Sequence, residues 1–180
     1  MRIIGGKHRG RVLKTFEGEA VRPTSDRARE ALFNVLQNEI FDSVFYDGFA
    51  GSGAVGLEAL SRGAKKVVLT DVSSESVKLT KANAALLKET PTILNVDCVS
   101  FLSSTDEKFD IIFLDPPYKK GILKDALPAV CPLLETGGIV LCEHDASDEM
   151  PPLPEYMSLF RQKKYGRIAL SFYRKEIEKA

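Results

Sequence analysis

The ten residues Asp47-Gly48-Phe49-Ala50-Gly51-Ser52-Gly53-Ala54-Val55-Gly56 constrain the fold more than any other stretch of the chain. They follow the apolar run Ser43-Val44-Phe45-Tyr46, which reads as a short buried strand, and lead into Leu57-Glu58-Ala59-Leu60, which has helix composition. A strand, a glycine turn and a helix in that order open a βα unit. Gly51, Gly53 and Gly56 complete a G-x-G-x-x-G, whose glycines let the backbone bend sharply and let a ligand lie against the main chain. The pattern points to a nucleotide-like ligand.

The glycine spacing also serves nicotinamide and flavin cofactors, which place a diphosphate at the helix N-terminus. Asp47 weighs against them. A carboxylate at the strand end, four residues before Gly51, repels a diphosphate but can pair with an amino acid's ammonium, directly or through water. A ligand that joins an adenosine to a methionine-like ammonium fits better, which is S-adenosylmethionine.

From Ser43 onward strands and helices alternate. Lys66-Val67-Val68-Leu69-Thr70 is a strand ending at Asp71, and Ser73 or Ser74 caps a helix reaching about Lys88. Thr92-Ile93-Leu94-Asn95-Val96 ends at Asp97, and Phe109-Asp110-Ile111-Ile112-Phe113-Leu114 ends at Asp115. Leu123 to Leu134 reads as a helix kinked or split by Pro128, Gly137-Gly138 separates it from the strand Ile139 to Cys142, and the segments 157–165 and 167–173 form a closing hairpin across Gly166. Four consecutive strand ends therefore carry Asp. Ligands of open α/β sheets bind outside the carboxyl ends of the strands, so these carboxylates can line one crevice. Asp71 is placed to accept both ribose hydroxyls. Asp97, followed by Cys98, can accept from an adenine amine, or can be a helix cap or turn residue.

Asp115-Pro116-Pro117-Tyr118 is the second informative stretch. Two prolines after an apolar strand fix an extended bend and leave carbonyls without competing amide donors. A planar base amine has its lone pair delocalised into the ring, and attacks only when its N–H groups are held by acceptors that turn the lone pair toward the methyl donor. The Asp115 side chain and the Pro116 carbonyl can supply those acceptors, with Tyr118 stacking on the base.

With 180 residues the chain is one domain, or one domain with a small appendage, and 44% apolar and 28% charged residues are ordinary globular values. Formal net charge is zero, yet the basic residues cluster. Residues 1–14 hold Arg2, Lys7, Arg9, Arg11 and Lys14 without an acid, and residues 161–175 hold Arg161, Lys163, Lys164, Arg167, Arg174 and Lys175 without one. A polyanion site produces such asymmetry, and so do solvated strand faces. Arg2-Ile3-Ile4 and Arg11-Val12-Leu13 read as a hairpin. Pro23-Thr24-Ser25 opens a helix capped by Thr24 or Ser25, with Ala28, Ala31, Leu32, Val35 and Leu36 at helical spacing to about Asn38. Arg22, Arg27 and Arg29 are equally suited to phosphate and to solvent. Cys98, Cys131 and Cys142 are widely spaced, which suggests neither disulfides nor zinc but a reducing compartment. Neither a signal-peptide h-region nor a membrane-spanning run is present, so a soluble cytoplasmic protein is expected.

Together these stretches resemble the class I S-adenosylmethionine-dependent amino-methyltransferases that carry an Asn- or Asp-Pro-Pro-Tyr/Phe motif. The match narrows through Arg2-Ile3-Ile4-Gly5-Gly6-Lys7 with Arg9-Gly10-Arg11, Arg22-Pro23-Thr24 with Arg27, Arg29-Glu30-Ala31-Leu32-Phe33-Asn34, and Asp47-Gly48-Phe49-Ala50-Gly51-Ser52-Gly53, which look like the RsmD family. The resemblance implies an α/β, Rossmann-like class I methyltransferase fold, with a seven-stranded, mostly parallel sheet, a reversed C-terminal hairpin and a small N-terminal hairpin and helix. Residues 1–40 would be an RNA-binding extension that uses Arg2, Lys7, Arg9, Arg11, Arg22 and Arg27, and residues 41–180 the methyltransferase domain. Asp47, Gly48, Phe49, Gly51, Gly53, Asp71, Val72, Asp97 and Cys98 would hold S-adenosylmethionine. Asp115, Pro116, Pro117 and Tyr118 would direct the methyl group to the exocyclic N2 of a guanine in small-subunit (16S) ribosomal RNA. The implied partner is ribosomal RNA within a small-subunit ribonucleoprotein, met by a monomer that needs no metal. Asp71 departs from the family, where Glu is common, and shortens the reach of that acceptor pair. Three rivals stand beside this reading. A DNA adenine-N6 or cytosine-N4 methyltransferase shares the tetrapeptide, but 180 residues leave no room for a large target-recognition domain. A nicotinamide-dependent oxidoreductase needs a diphosphate near Asp47. A non-catalytic RNA-binding assembly protein has no need of Asp115 and Tyr118.

Overall fold

The computed structural model describes residues 1–18, 23–118 and 120–177, with residues 23–25 described by their backbone. Runs of apolar residues long enough to be buried on both faces set the sheet. β1 (Val44–Asp47), β2 (Lys66–Asp71), β3 (Thr92–Asn95), β4 (Phe109–Leu114), β5 (Leu134–Asp145), β6 (Met157–Tyr165) and β7 (Ile168–Lys175) form one sheet of order β3-β2-β1-β4-β5-β7-β6. Pairing is parallel from β3 to β5, with Tyr46 opposite Val68 on one side and Ile112 on the other. β7 is antiparallel to both β5 and β6, so it alone runs against the rest.

Alternation along the five inner strands, β2, β1, β4, β5 and β7, feeds two cores. Phe45, Leu69, Ile111, Phe113, Leu141 and Phe172 face α1 (Pro23–Val35) and α2 (Ala54–Ser61), burying Ala28, Leu32, Leu36 and Ala59. Tyr46, Val68, Ile112, Leu114, Val140 and Cys142 face α4 (Cys98–Ser104) and α5 (Leu123–Val130), burying Leu102, Ala126, Leu127 and Val130. A third cluster packs Ile3 and Leu13 of the N-terminal segment onto Ala54 and Leu57 of α2 and onto Ala84 and Leu87 of α3 (Ser74–Leu87).

The expected N-terminal hairpin is a single Arg2–Val12 bridge with flanking backbone bonds, Ile3 N–H to the Arg11 carbonyl and Leu13 N–H to the Met1 carbonyl. It is held to α2 rather than by its own ladder. Glu58, fully buried in α2, accepts from the Ile4 amide at 2.9 Å, the Gly5 amide at 2.8 Å and Arg62 Nε at 2.9 Å. Gly6 then turns against the α2 terminus with φ 77°, where a Cβ would stand 1.9 Å from the Ser61 carbonyl oxygen.

Two elements differ from the sequence reading. α4 follows Asp97 directly, in a stretch where no helix is expected from composition, because Val99, Phe101 and Leu102 pack on Tyr46 and α5 while the Asp97 carboxylate caps the Ser100 amide at 3.0 Å. β5 begins at Leu134 rather than Ile139. Gly137-Gly138 do not separate it from the helix but lie inside it as a register shift between the pairs Phe109–Leu134 and Ile111–Ile139. A Cβ at Gly138 would approach the Glu135 and Asp110 carbonyl oxygens to 2.8 and 3.1 Å. No helix among the described residues is long and apolar enough to cross a membrane.

Candidate active site

The glycine turn is positioned from below and from the side. Gly56 sits where a Cβ would meet Leu69 Cδ2 at 2.5 Å, which brings α2 close onto β2. Gly51 and Gly53 take φ of 56° and 83°, a region that glycine enters without strain. Gly53 is the residue from which α2 starts, and it packs on Thr80. α3 holds the turn through its polar face: Thr80 Oγ1 donates to the Gly51 carbonyl at 2.9 Å and Asn83 Nδ2 to the Ser52 carbonyl at 2.8 Å. Asp71 completes the support, accepting from the Gly51 amide at 2.9 Å and from the Ser73 amide at 2.8 Å.

Two adjoining hollows open along the carboxyl ends of the strands. The larger, about 470 Å³, is lined by Gly48, Phe49, Gly51, Asp71, Val72, Asp97, Cys98, Asp115, Pro116, Pro117 and Tyr118. It unites nearly all of the expected cofactor and catalytic residues. Val72 is 74% exposed on its rim, an apolar side chain open to a flat ligand. Asp97 borders the cleft and also caps α4, its carboxylate accepting from the Ser100 amide. Cys98 is buried, accepts from the Tyr46 hydroxyl at 3.5 Å, and has its thiol pushed up to about 12 by burial.

Asp47 lines the second hollow, about 250 Å³, which shares Phe49, Gly51 and Asp115 with the first and adds Met1, Asp26, Arg29 and Glu143. The Asp47 carboxylate is 1% exposed and is in no ion pair among the described residues. Burial pushes its carboxyl up to about 7, opposed by the Phe49 amide and reinforced by the Asp71 charge. Such a group is poised to receive a cation. Arg29 is buried across the same hollow, and its Nη2 donates to the Arg2 carbonyl and lies 3.4 Å from Asp26 Oδ1, while its Nε has no hydrogen-bond partner among the described residues. The sequence reading left Arg29 between phosphate and solvent; the structure rules out the solvated face, because Arg29 is buried at the hollow.

Asp115 and Tyr118 stand where the two hollows meet a third, of about 360 Å³, lined by Pro116, Pro117, Tyr118, Ile122, Glu143 and His144 among others. Burial raises the Asp115 carboxyl well above the usual carboxylate range, and the charges of Glu143 and Asp47 add to it. Glu143, at the end of β5, is half-buried and its own carboxyl is raised by burial. It accepts from the Tyr118 hydroxyl at 3.1 Å. Sequence reasoning missed Glu143, because a strand-end Glu after Val140-Leu141-Cys142 matches no motif. The one available signal was its place at a fifth carboxyl end.

Among the basic residues, Arg2, Arg9 and Arg27 are exposed, and Arg2 and Arg9 border an open hollow with Asp26. Lys7 ion-pairs with Glu89 at 2.5 Å, and Arg11 Nη2 donates to the Leu86 carbonyl at 2.8 Å, both toward the far end of α3. Arg22 lies outside the described residues. No group of three His, Cys, Asp or Glu side chains among the described residues is placed to hold a metal ion.

This arrangement has relatives. The chain matches the family described as Conserved hypothetical protein 95 over residues 1–174. It is 37% identical to the ribosomal RNA small subunit methyltransferase D of Escherichia coli (strain K12), covering 99% of this chain and 91% of that protein. Identity to the protein of the same name from Haemophilus influenzae is 36%, over 96% and 93% of the two chains. Among solved structures, the Escherichia coli protein yhhF superposes with a TM-score of 0.90 at 37% identity over 98% of each chain. A hypothetical protein from a Thermus species does so with 0.80 at 32% identity, over 98% of this chain and 99% of that one. The chain belongs to the Conserved hypothetical protein 95 family, the RsmD family of methyltransferases.

Proposed function

We propose that this protein transfers a methyl group from S-adenosylmethionine to the exocyclic N2 amine of a guanine in small-subunit ribosomal RNA. The observation that carries the reading is the meeting of the buried Asp47 and the glycine turn with Asp115-Pro116-Pro117-Tyr118 along one sheet edge. Relatives named ribosomal RNA small subunit methyltransferase D support the substrate class.

The residues present suit the methyl donor. Asp47 takes its ammonium, Gly48, Phe49, Gly51 and Gly53 provide close main-chain approach, Asp71 accepts from the ribose, and Val72, Asp97 and Cys98 border the adenine. When bound, the cofactor supplies an electrophilic methyl group on a cationic sulfonium. Asp115 and the Pro116 carbonyl accept the two N–H groups of the target amine and turn its lone pair out of conjugation. Burial makes the Asp115 carboxyl a stronger proton acceptor than an exposed one, which suits the proton that the amine sheds after methylation. Tyr118 stacks on the base, and Glu143 fixes the ring through the hydroxyl. Alignment does most of the work, up to ~7–11 kcal/mol in well-oriented systems.

Residues 1–40 act in this reading as the RNA-facing extension, with Arg2, Arg9 and Arg27 as its exposed cations, Lys7 and Arg11 as partly engaged ones, and Arg22 joining them. Residues 41–180 form the catalytic domain of a cytoplasmic monomer whose substrate is a small-subunit ribonucleoprotein. Labelled S-adenosylmethionine offered with naked ribosomal RNA, small subunits or duplex DNA tests the assignment. Label in small-subunit RNA supports it, and label in DNA alone overturns it.

A further inference from the structure

Resting on the reading of this chain as an RNA methyltransferase, we propose that the β6–β7 turn is a second phosphate-docking surface, contacting the RNA strand that carries the target base. Because β7 runs against both β5 and β6, β6 runs with the parallel strands, and its last residues reach the same edge as the cleft. The segment Arg161-Gln162-Lys163-Lys164-Tyr165-Gly166-Arg167 has four cations and no acid. Arg161, Lys164 and Arg167 are exposed and Lys163 is half-buried. None of the four side chains has an ion-pair or hydrogen-bond partner among the described residues, whereas Lys7, Arg62, Lys66 and Arg174 are each paired with a carboxylate.

The register fixes how near this turn is to the chemistry. Ala169 of β7 pairs with His144 on one side and with Lys164 on the other. At ~4.8 Å per strand, Lys164 stands roughly 10 Å from His144, which borders the same hollow as Tyr118 and Glu143. The Ala146 amide donates to the Arg167 carbonyl at 2.7 Å, so the turn is joined to the loop that follows β5 rather than hanging free. Asp148 and Glu149 on that loop line the cleft side and leave the outer rim of the turn as the path for phosphates. The N-terminal segment divides its cations: Arg2 and Arg9 border a hollow that shares Met1 and Asp26 with the one lined by Asp47 and Asp115, whereas Lys7 does not. Its Gly6-Lys7 turn rests on Ser61, at the end of α2 remote from the glycine turn, with Lys7 committed to Glu89. RNA anchored by Arg2 and Arg9 meets the cleft from the Asp47 side; the β6–β7 turn supplies charge on the side of Tyr118 and His144.

The test replaces Arg161→Ala, Lys164→Ala and Arg167→Ala together and measures binding to small-subunit ribosomal RNA across a salt series, cofactor affinity by calorimetry, and single-turnover methyl transfer. Loss of about three phosphate contacts should weaken RNA binding at least about tenfold near physiological salt and reduce the salt slope by about 2. Cofactor affinity, thermal midpoint and the rate at saturating RNA should stay within about twofold of wild type. Unchanged RNA affinity and salt slope in the triple variant would overturn the proposal. Failure of the wild-type protein to methylate ribosomal RNA would instead overturn the activity reading, and the binding series would still decide the role of the turn.

Discussion

Asp47 carries a signature of its burial that pH can read. In the folded chain it holds its proton up to about pH 7, against about 4 for an unfolded Asp. Between those values the folded state binds the extra proton, so stability falls as pH rises through that window, and the full penalty applies above pH 7. Asp47→Asn should therefore raise the thermal midpoint at pH 8, each 1 kcal/mol regained being worth roughly 2–4 °C, with the gain vanishing toward pH 4. The same variant should lose cofactor affinity. Since an ammonium binds the ionised carboxylate, wild-type affinity for S-adenosylmethionine should rise from pH 5.5 to 7.5 with proton release in the calorimeter. A flat profile would remove Asp47 from the cofactor site. Asp115 should behave differently, because in the proposed reaction it acts on the reacting amine. Asp115→Ala should keep cofactor and RNA affinity within a few-fold yet lose roughly 10²-fold or more in single-turnover transfer. Asp115→Asn, whose amide oxygen still accepts one N–H, should be milder. Near-wild-type rates for the alanine variant would return the tetrapeptide to a strand-ending turn.

At the scale of elements, the chain is held together by side chains whose roles are long-range. Glu58 reads in the sequence as an ordinary helix residue, yet it is fully buried and ties the N-terminal segment to α2 with two amide bonds across more than fifty residues. Glu58→Ala should leave those amides unsatisfied and Arg62 without its partner, at a cost of about 3–5 kcal/mol. Hydrogen exchange should then quicken at Ile4 and Gly5 before the sheet is affected; exchange that stays slow there would show the staple to be dispensable. The alternating strands, their Asp-bearing ends and the closing hairpin were legible, because burial on both faces leaves continuous apolar runs and Asp marks each exit. α4 was not legible: seven residues with three serines carry little helical propensity, and its stability comes from Tyr46 and α5. Nor was the start of β5, where two glycines that look like a linker serve as a register shift.

For the whole molecule, the sequence located the cleft but not its full membership. Asp71, Asp97 and Asp115 announce themselves as strand ends, whereas Glu143 enters through its approach to Tyr118 and Arg29 through the packing of α1 over the glycine turn. The position of the C-terminal cations beside the cleft follows from one fact that no local pattern carries, the reversal of β7 alone. In the proposed reaction a methyl donor held by Asp47 and the glycine turn faces a guanine amine held by Asp115. Nucleoside mapping of small-subunit RNA, taken from cells lacking this enzyme and incubated with the protein and labelled S-adenosylmethionine, tests that claim most directly. Label should be recovered as N2-methylguanosine and be lost with Asp115→Ala. Label on another nucleoside, or on DNA with none in RNA, would contradict it.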